Sequence, residues 1–218
     1  MIVIGLDLGQ KQDYTAVAVV EKEERSESSA GDKPMLYLRH LERYALGTPY
    51  GEQMDRVAAL VSKIKETAPN RIPVLWSGDD LPRAARPQPP ELVVDATGVG
   101  IGVVEMLKDR SLRYRAVSIT GGISETHGGG TYHVPKRNLV SRAVAPFEGK
   151  RLKIARSMSL VPELVRELEN FKVKVNPKTA HDSYEAWRES DHDDLVLALA
   201  LACWWAERKL QGATVYSF

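Results

Sequence analysis

The sequence predicts an α/β fold, a mixed central β-sheet sandwiched by α-helices, in one domain spanning residues 1–218. Three observations predict it. Short β-branched apolar runs crowd the first 43 residues, as in a meander of strands. Beyond residue 90, strand-length apolar runs alternate with segments of helical periodicity, the pattern of a layered α/β architecture. Residues 195–206 are apolar on every side, which a helix tolerates only when buried. That run is far shorter than the roughly 20 residues that cross a bilayer, so it reads as a core helix.

In chain order, 2–8 (IVIGLDL) and 15–21 (TAVAVVE) are strands joined by the polar GQKQD. The charged, Ser-rich stretch 21–33 is a loop, and 35–43 is a third strand. Residues 50–67 place Met54, Val57, Leu60, Val61 and Ile64 at helical spacing, an apolar stripe that must cover the sheet. The proline-rich 77–90 is a surface insertion. ELVVD (91–95) is a buried strand, 99–110 a helix and 113–120 a strand. The glycine-rich 121–131 reads as a mobile loop. Helices are expected over 134–147, with Pro135 in its first turn, and over 159–171. A short strand at 151–155 separates them. KVKVN (172–176) and DSYEAWR (182–188) suggest a β-hairpin, and a last helix covers about 190–210.

With 43% hydrophobic and 27% charged residues, the chain is neither disordered nor a membrane protein. The single Cys203 excludes an intramolecular disulfide and a cysteine-based zinc site. The opening MIVIGLDLG lacks a basic leader, so the expected location is the cytoplasm, with no membrane contact. A net charge of +1 hides a segregation: −4 over 1–107, +8 over 108–156 and −3 over 157–218. A basic middle between acidic ends suits a nucleic-acid groove beside a metal site.

The acidic positions carry the chemistry. Asp7 lies in the first strand among Ile4, Leu6 and Leu8, where a carboxylate needs a partner or a metal. Asp95 ends the LVVD strand, at the carboxyl edge where open α/β sheets put their ligands. Asp191, Asp193 and Asp194 open the last helix. Asp194 shares a face with Ala198, Leu201 and Trp205 and so should turn toward the strand carboxylates. Asp193, rotated about 100° away, is better placed to cap the helix. Hard oxygen donors without a His or Cys cluster select Mg²⁺ or Mn²⁺. Two such ions can activate water and stabilise the leaving oxygen of a phosphodiester.

GLDLGQKQDYTAVAVV, VVDATGVGIGVVEML, YHVPKRNLVSRA followed by GKRLKIA, and HDDLVLALALA then fall in one order along nearly the whole chain. In that order the chain resembles the nuclease domain of the large terminase subunit of tailed phages, within the RNase H-like (retroviral integrase) superfamily. The resemblance implies an RNase H-like fold and metal ligation by Asp7, Asp95 and Asp194. Terminases keep the HDD pattern, which brings in Asp193. Resolvase relatives place an acidic residue one turn before the last ligand, which brings in Asp191; which of the two assists Asp194 stays open.

The implied activity is a two-ion DNA endonuclease that cuts concatemeric viral DNA during packaging, in a bacterial cell carrying a phage or prophage. No G-x-x-x-x-G-K-[ST] occurs in the sequence, so an ATPase domain is not expected here. The expected partners are double-stranded DNA, a separately encoded terminase ATPase, the small terminase subunit and the portal, with the isolated chain a monomer. The rivals are a Holliday-junction resolvase-like nuclease and a catalytically silent, prophage-derived DNA-binding module.

Lys136 and Arg137 stand at a helix start, where cations oppose the dipole, so a phosphate contact is expected of them, extended one turn on by Arg142. His192 reads as a surface residue, and His127 and His133 as part of the glycine loop rather than a metal pair. Thr97, Gly98 and Gly100 read as the tight turn that brings Asp95 to the sheet edge, and Trp204 and Trp205 as packing.

Overall fold

A computed structural model describes residues 1–9, 13–23, 33–67, 89–98, 100–174 and 193–208. Its strands are β1 (Ile2–Asp7), β2 (Ala16–Lys22), β3 (Leu36–Arg43), β4 (Glu91–Asp95), β5 (Tyr114–Thr120), β6 (Thr126–Gly128), β7 (Thr131–Pro135) and β8 (Leu152–Ile154). Its helices are α1 (Tyr50–Thr67), α2 (Gly100–Asp109), α3 (Lys136–Glu148), α4 (Val161–Lys174) and α5 (Asp194–Glu207). The strands form one sheet in the order β6-β7-β5-β4-β1-β2-β3-β8. β1 pairs antiparallel with β2 and parallel with β4, so the sheet changes character at its centre. This is the mixed α/β sandwich that the strand meander and the later alternation predict.

The central strands are apolar on both faces because both faces are covered. Ile4, Leu6, Val17, Val19, Leu92 and Val94 pack against α1 and α2. Val3, Ala16, Ala18, Val20 and Val93 pack on the other side, against α3, α4 and α5. Strand periodicity then decides where the acids go. Asp7 and Asp95 alternate with Leu6 and Val94 and therefore belong to the α5 face.

α5 is buried from Asp194 to Ala206, the core helix expected of its sequence. It lies unusually close to β1. A Cβ on Gly5 would stand 2.0 Å from the Ala198 carbonyl oxygen and 2.9 Å from the Ala202 nitrogen. Only glycine allows the helix backbone to rest there. No helix among the described residues is long and apolar enough to cross a membrane.

Three segments depart from the sequence reading. Part of 121–131, read as a mobile loop, forms a hairpin of β6 and β7 at the sheet edge. Gly129 and Gly130, at φ of +59° and +80°, supply the two left-handed residues such a tight turn requires. Val134 and Pro135 finish β7 rather than begin α3, since Val134 is buried in the core and Pro135 is extended. α4 runs on through Lys174, so the start of the expected KVKVN strand is helical. The rest of that expected hairpin, the insertion at 77–88, His192 and Asp191 lie outside the described residues.

Candidate active site

Asp7 and Asp95 end adjacent parallel strands. Leu6 and Val94 are the last partners in the β1–β4 register, so the two aspartates come next on each strand, on one face. Both are buried, with 8% of each exposed. Thr97 holds Asp95 from the turn that follows: its backbone N–H donates to Oδ1 at 2.8 Å. Thr97 Oγ1 in turn accepts the Ile119 N–H of β5 at 2.7 Å, and Gly98 turns the chain at φ +75°. The sequence reading of this segment as a positioning turn matches what is seen.

Burial, and after it the like charges of Asp95, Asp193 and Asp194, push the Asp7 carboxyl well above the usual carboxylate range. Lys136 opposes that rise without cancelling it. Burial raises Asp95 as well, against the Thr97 hydrogen bonds, a hydrogen bond to Asp7 and the charge of Lys136. Two carboxyls that share a hydrogen bond in a dry site hold a proton between them unless a cation arrives.

The start of α5 brings the other acids. Leu197 N–H bonds to the Asp193 carbonyl at 2.9 Å, which makes Asp193 the residue that opens the helix. Its side chain makes no capping hydrogen bond, however. It accepts a hydrogen bond from Lys136 Nζ instead, so the capping role expected of Asp193 is not the one observed. Asp194 is buried, and its Oδ2 accepts from Arg43 Nε at 2.6 Å. Arg43 also donates through Nη2 to Glu167 Oε1, and its guanidinium lies 5.0 Å over the Tyr14 ring. Glu167 is pushed up to about 7, by burial first and by Asp194 in part, while Val196 N–H and Arg43 pull it down.

Asp7, Asp95, Asp193 and Asp194 therefore share one electrostatic neighbourhood. Among the described residues no group of three His, Cys, Asp or Glu side chains is assembled as a metal cage. Lys136 pairs with Asp193, and Arg43 with Asp194. The chemistry of the donors still fits a hard divalent ion: all are carboxylate oxygens, and two of them are desolvated and short of positive charge.

The basic residues separate. Lys136 turns into the acidic site. Arg137, next to it on α3, is exposed. Arg142 is exposed and leans to 3.9 Å from Glu207, at the opposite end of α5. Thirteen residues of helix put that end about 20 Å from Asp194. His127 stacks on Tyr132 with ring centroids 4.0 Å apart, and Trp204 and Trp205 are buried.

Sequence reasoning missed Arg43 and Glu167. A signal for Glu167 was present: it lies three residues after Leu164 and next to Leu168, within the stripe that α4 buries. Arg43 gave none beyond ending a strand, because its importance comes from partners more than 120 residues away.

The sequence model of the Terminase RNaseH-like domain matches residues 4–204. No curated protein sequence matches the chain. Among solved structures, the large terminase nuclease from thermophilic phage G20c is similar at a TM-score of 0.53. The two are 18% identical, over 93% of this chain and 80% of that one. The same nuclease with bound zinc gives a TM-score of 0.51 at 18% identity, over 93% and 79%. The manganese-soaked human cytomegalovirus terminase nuclease domain gives 0.50 at 12%, over 93% and 81%. At such identities these likenesses speak for the fold, which is RNase H-like.

Proposed function

We propose that this chain, which belongs to the terminase RNase H-like domain family, is a metal-dependent endonuclease that cuts double-stranded DNA with two divalent ions. One observation carries the reading. Asp7 and Asp95 stand side by side, buried and held above the usual carboxylate range, and the acids of α5 add to their repulsion. A fold keeps such an arrangement against its own stability when a cation belongs there.

Asp7, Asp95 and Asp194 would hold the ions, with Asp193 as the further carboxylate. Mg²⁺ or Mn²⁺ suits these donors; the zinc and manganese named for the two relatives are divalent ions too. Bound there, the ions supply the Lewis acidity that activates water and stabilises the leaving oxygen. The protein supplies the rest. Thr97 fixes the orientation of Asp95, and Arg43 fixes that of Asp194. Lys136, now paired with Asp193, supplies positive charge for a phosphate oxygen laid across the site. Arg137 offers a backbone contact beside it, as the +8 segment offers to the duplex more generally. A separately encoded ATPase, a small terminase subunit and a portal are the partners this reading implies.

The test is cleavage of supercoiled plasmid with Mn²⁺, Mg²⁺ or EDTA, alongside Asp95→Ala. Nicking and linearisation are expected with metal and not with EDTA. The variant should fall by more than ~100-fold, beyond the 10–100-fold that an outer partner of a metal ligand costs. Binding of DNA without cleavage under either metal would sink the proposal and favour a silent DNA-binding module. Equal cutting by the wild type and the variant would show the site to be wrongly placed.

A further inference from the structure

The α5 terminus is capped from outside. Its first-turn donors have no partner within the helix, and Asp193, at the position where an aspartate usually caps, does not cap. Glu167 reaches over from α4, and its Oε2 accepts the Val196 N–H at 3.0 Å. Its other oxygen accepts from Arg43. Asp193 thus keeps its side chain out of the cap, and Asp194 turns its Oδ2 to Arg43.

Arg43 occupies a particular place in the sheet. Asp7 is paired with Ala16, and Ala16 with Arg43, so the three form one cross-strand row on one face. Two strand spacings separate Asp7 from Arg43, about 10 Å. Ala16 stands between them in the row, and the start of α5 reaches Arg43 through Asp194. Asp194 therefore comes down between the strand aspartates on one side and a guanidinium on the other. Arg43 takes Oδ2 through Nε and so fixes the rotation of the carboxylate. A planar, forked cation can hold Asp194 and Glu167 at once, which a lysine ammonium on a flexible stem does far less well.

We propose that Arg43 and Glu167 are a positioning pair, in which Glu167 caps α5 and aims Arg43, and Arg43 sets the Asp194 carboxylate for metal. The proposal rests on the metal-dependent nuclease reading above. Neither residue is given a part in the chemistry itself.

The experiment measures the Mn²⁺ concentration that half-saturates the rise in melting temperature, and the same quantity for plasmid cleavage. It compares wild type, Arg43→Lys, Glu167→Gln and the double variant Arg43→Gln/Glu167→Gln. Glu167→Gln keeps an oxygen for Val196 N–H but cannot pair with the Arg43 charge. The double variant removes the Arg43 and Glu167 charges together, so neither member of that pair is left buried without the other, while Asp194 loses its bond to Arg43. Each variant should need ~10–100-fold more Mn²⁺ in both measurements, with part of the cleavage rate recovered at saturating metal. A lower metal-free melting temperature with an unchanged, or smaller, Mn²⁺ requirement in any folded variant would overturn the proposal. It would leave the pair as a structural brace. A wild type whose melting and plasmid both ignore Mn²⁺ would instead overturn the nuclease reading beneath it.

Discussion

The two ends of α5 are both surrounded by charge, and they are built on opposite principles. At the C-terminal end Glu207 is outnumbered by cations. Glu207 accepts from Arg151 at 2.6 Å, Arg142 stands 3.9 Å away, and Lys22 Nζ donates to the Ala206 carbonyl at 2.7 Å. Cations at a helix C-terminus satisfy its last carbonyls and complement its dipole, so that end is complete in itself. At the N-terminal end Asp7, Asp95, Asp193, Asp194 and Glu167 face Arg43 and Lys136. The dipole welcomes some negative charge there, but not the five carboxyl groups that, among the described residues, face two cations. One end is arranged for stability, and the other, on the function proposed above, for a divalent cation.

Gly5 lies under Ala198 and Ala202, between those ends, and holds both at once. Gly5→Ala should therefore be the most damaging single change. Its methyl group would meet backbone atoms of α5, which have no rotamer to move aside. Overpacking of this kind costs about 3 kcal/mol or more. At roughly 2–4 °C per kcal/mol for a chain this size, the melting temperature should fall by at least ~6 °C. The Mn²⁺ response should weaken too, since the helix carries Asp194 one turn from the contact. A melting temperature within a degree of wild type would show that the close approach is not what seats the helix.

Much of this arrangement was legible in the sequence, and the reason is local. Asp7 among apolar strand residues, Asp95 before a glycine turn and Asp194 on the Ala198 face are each set by a period of 2 or 3.6. Those periods placed the three carboxyls on one side of one sheet. What they could not show was who neutralises them. Lys136 read as a phosphate contact because its cost at a helix start was visible and its partner, Asp193, was not. The Arg43–Glu167 pair joins β3 to α4, a match made only when the sheet and its helices are assembled. The β6–β7 hairpin was missed differently: five glycines in eleven residues suggested looseness, yet two of them make the turn.

The next comparison has opposite signs at the two ends. Without metal, Asp7→Asn should raise the melting temperature at neutral pH, because it replaces a crowded, desolvated carboxyl, which must hold a proton or a charge there at a cost, by a group that never ionises. The sign follows from linkage. A carboxyl raised in the folded state stabilises below its ordinary value, and that contribution is lost as pH rises through the folded value. Asp7 and Asp95 are both raised, and Glu167 spans the interval from its ordinary value of 4.5 to about 7. The gain from Asp7→Asn should therefore be smallest in acid and grow toward pH 8. Glu207→Gln, by contrast, should lower the melting temperature at neutral pH by losing its bond to Arg151, worth about 1–2 kcal/mol. Melting curves in EDTA from pH 5 to 8 would decide it. If Asp7→Asn destabilises at every pH, the crowding at the N-terminal end is fully compensated and the contrast fails.

The smallest effects concern DNA. Arg137 is exposed beside Lys136 at the acidic end, whereas Arg142 shares Glu207 with Arg151 at the other. If the duplex runs over the N-terminal end of α5, Arg137→Ala removes a phosphate contact and Arg142→Ala does not. Each lost contact should flatten the dependence of log affinity on log salt by about 0.9. Arg137→Ala should show that change and weaken all sequences alike, since a backbone contact reads no bases. Arg142→Ala should leave the slope within error and act only through the ion pair with Glu207. Fluorescence anisotropy of a short duplex between 50 and 200 mM salt, with Ca²⁺ in place of Mn²⁺ to prevent cutting, measures both. Equal slopes lost at the two positions would place the DNA along the whole length of α3, and the division between the ends of α5 would then hold for the metal site and not for the substrate.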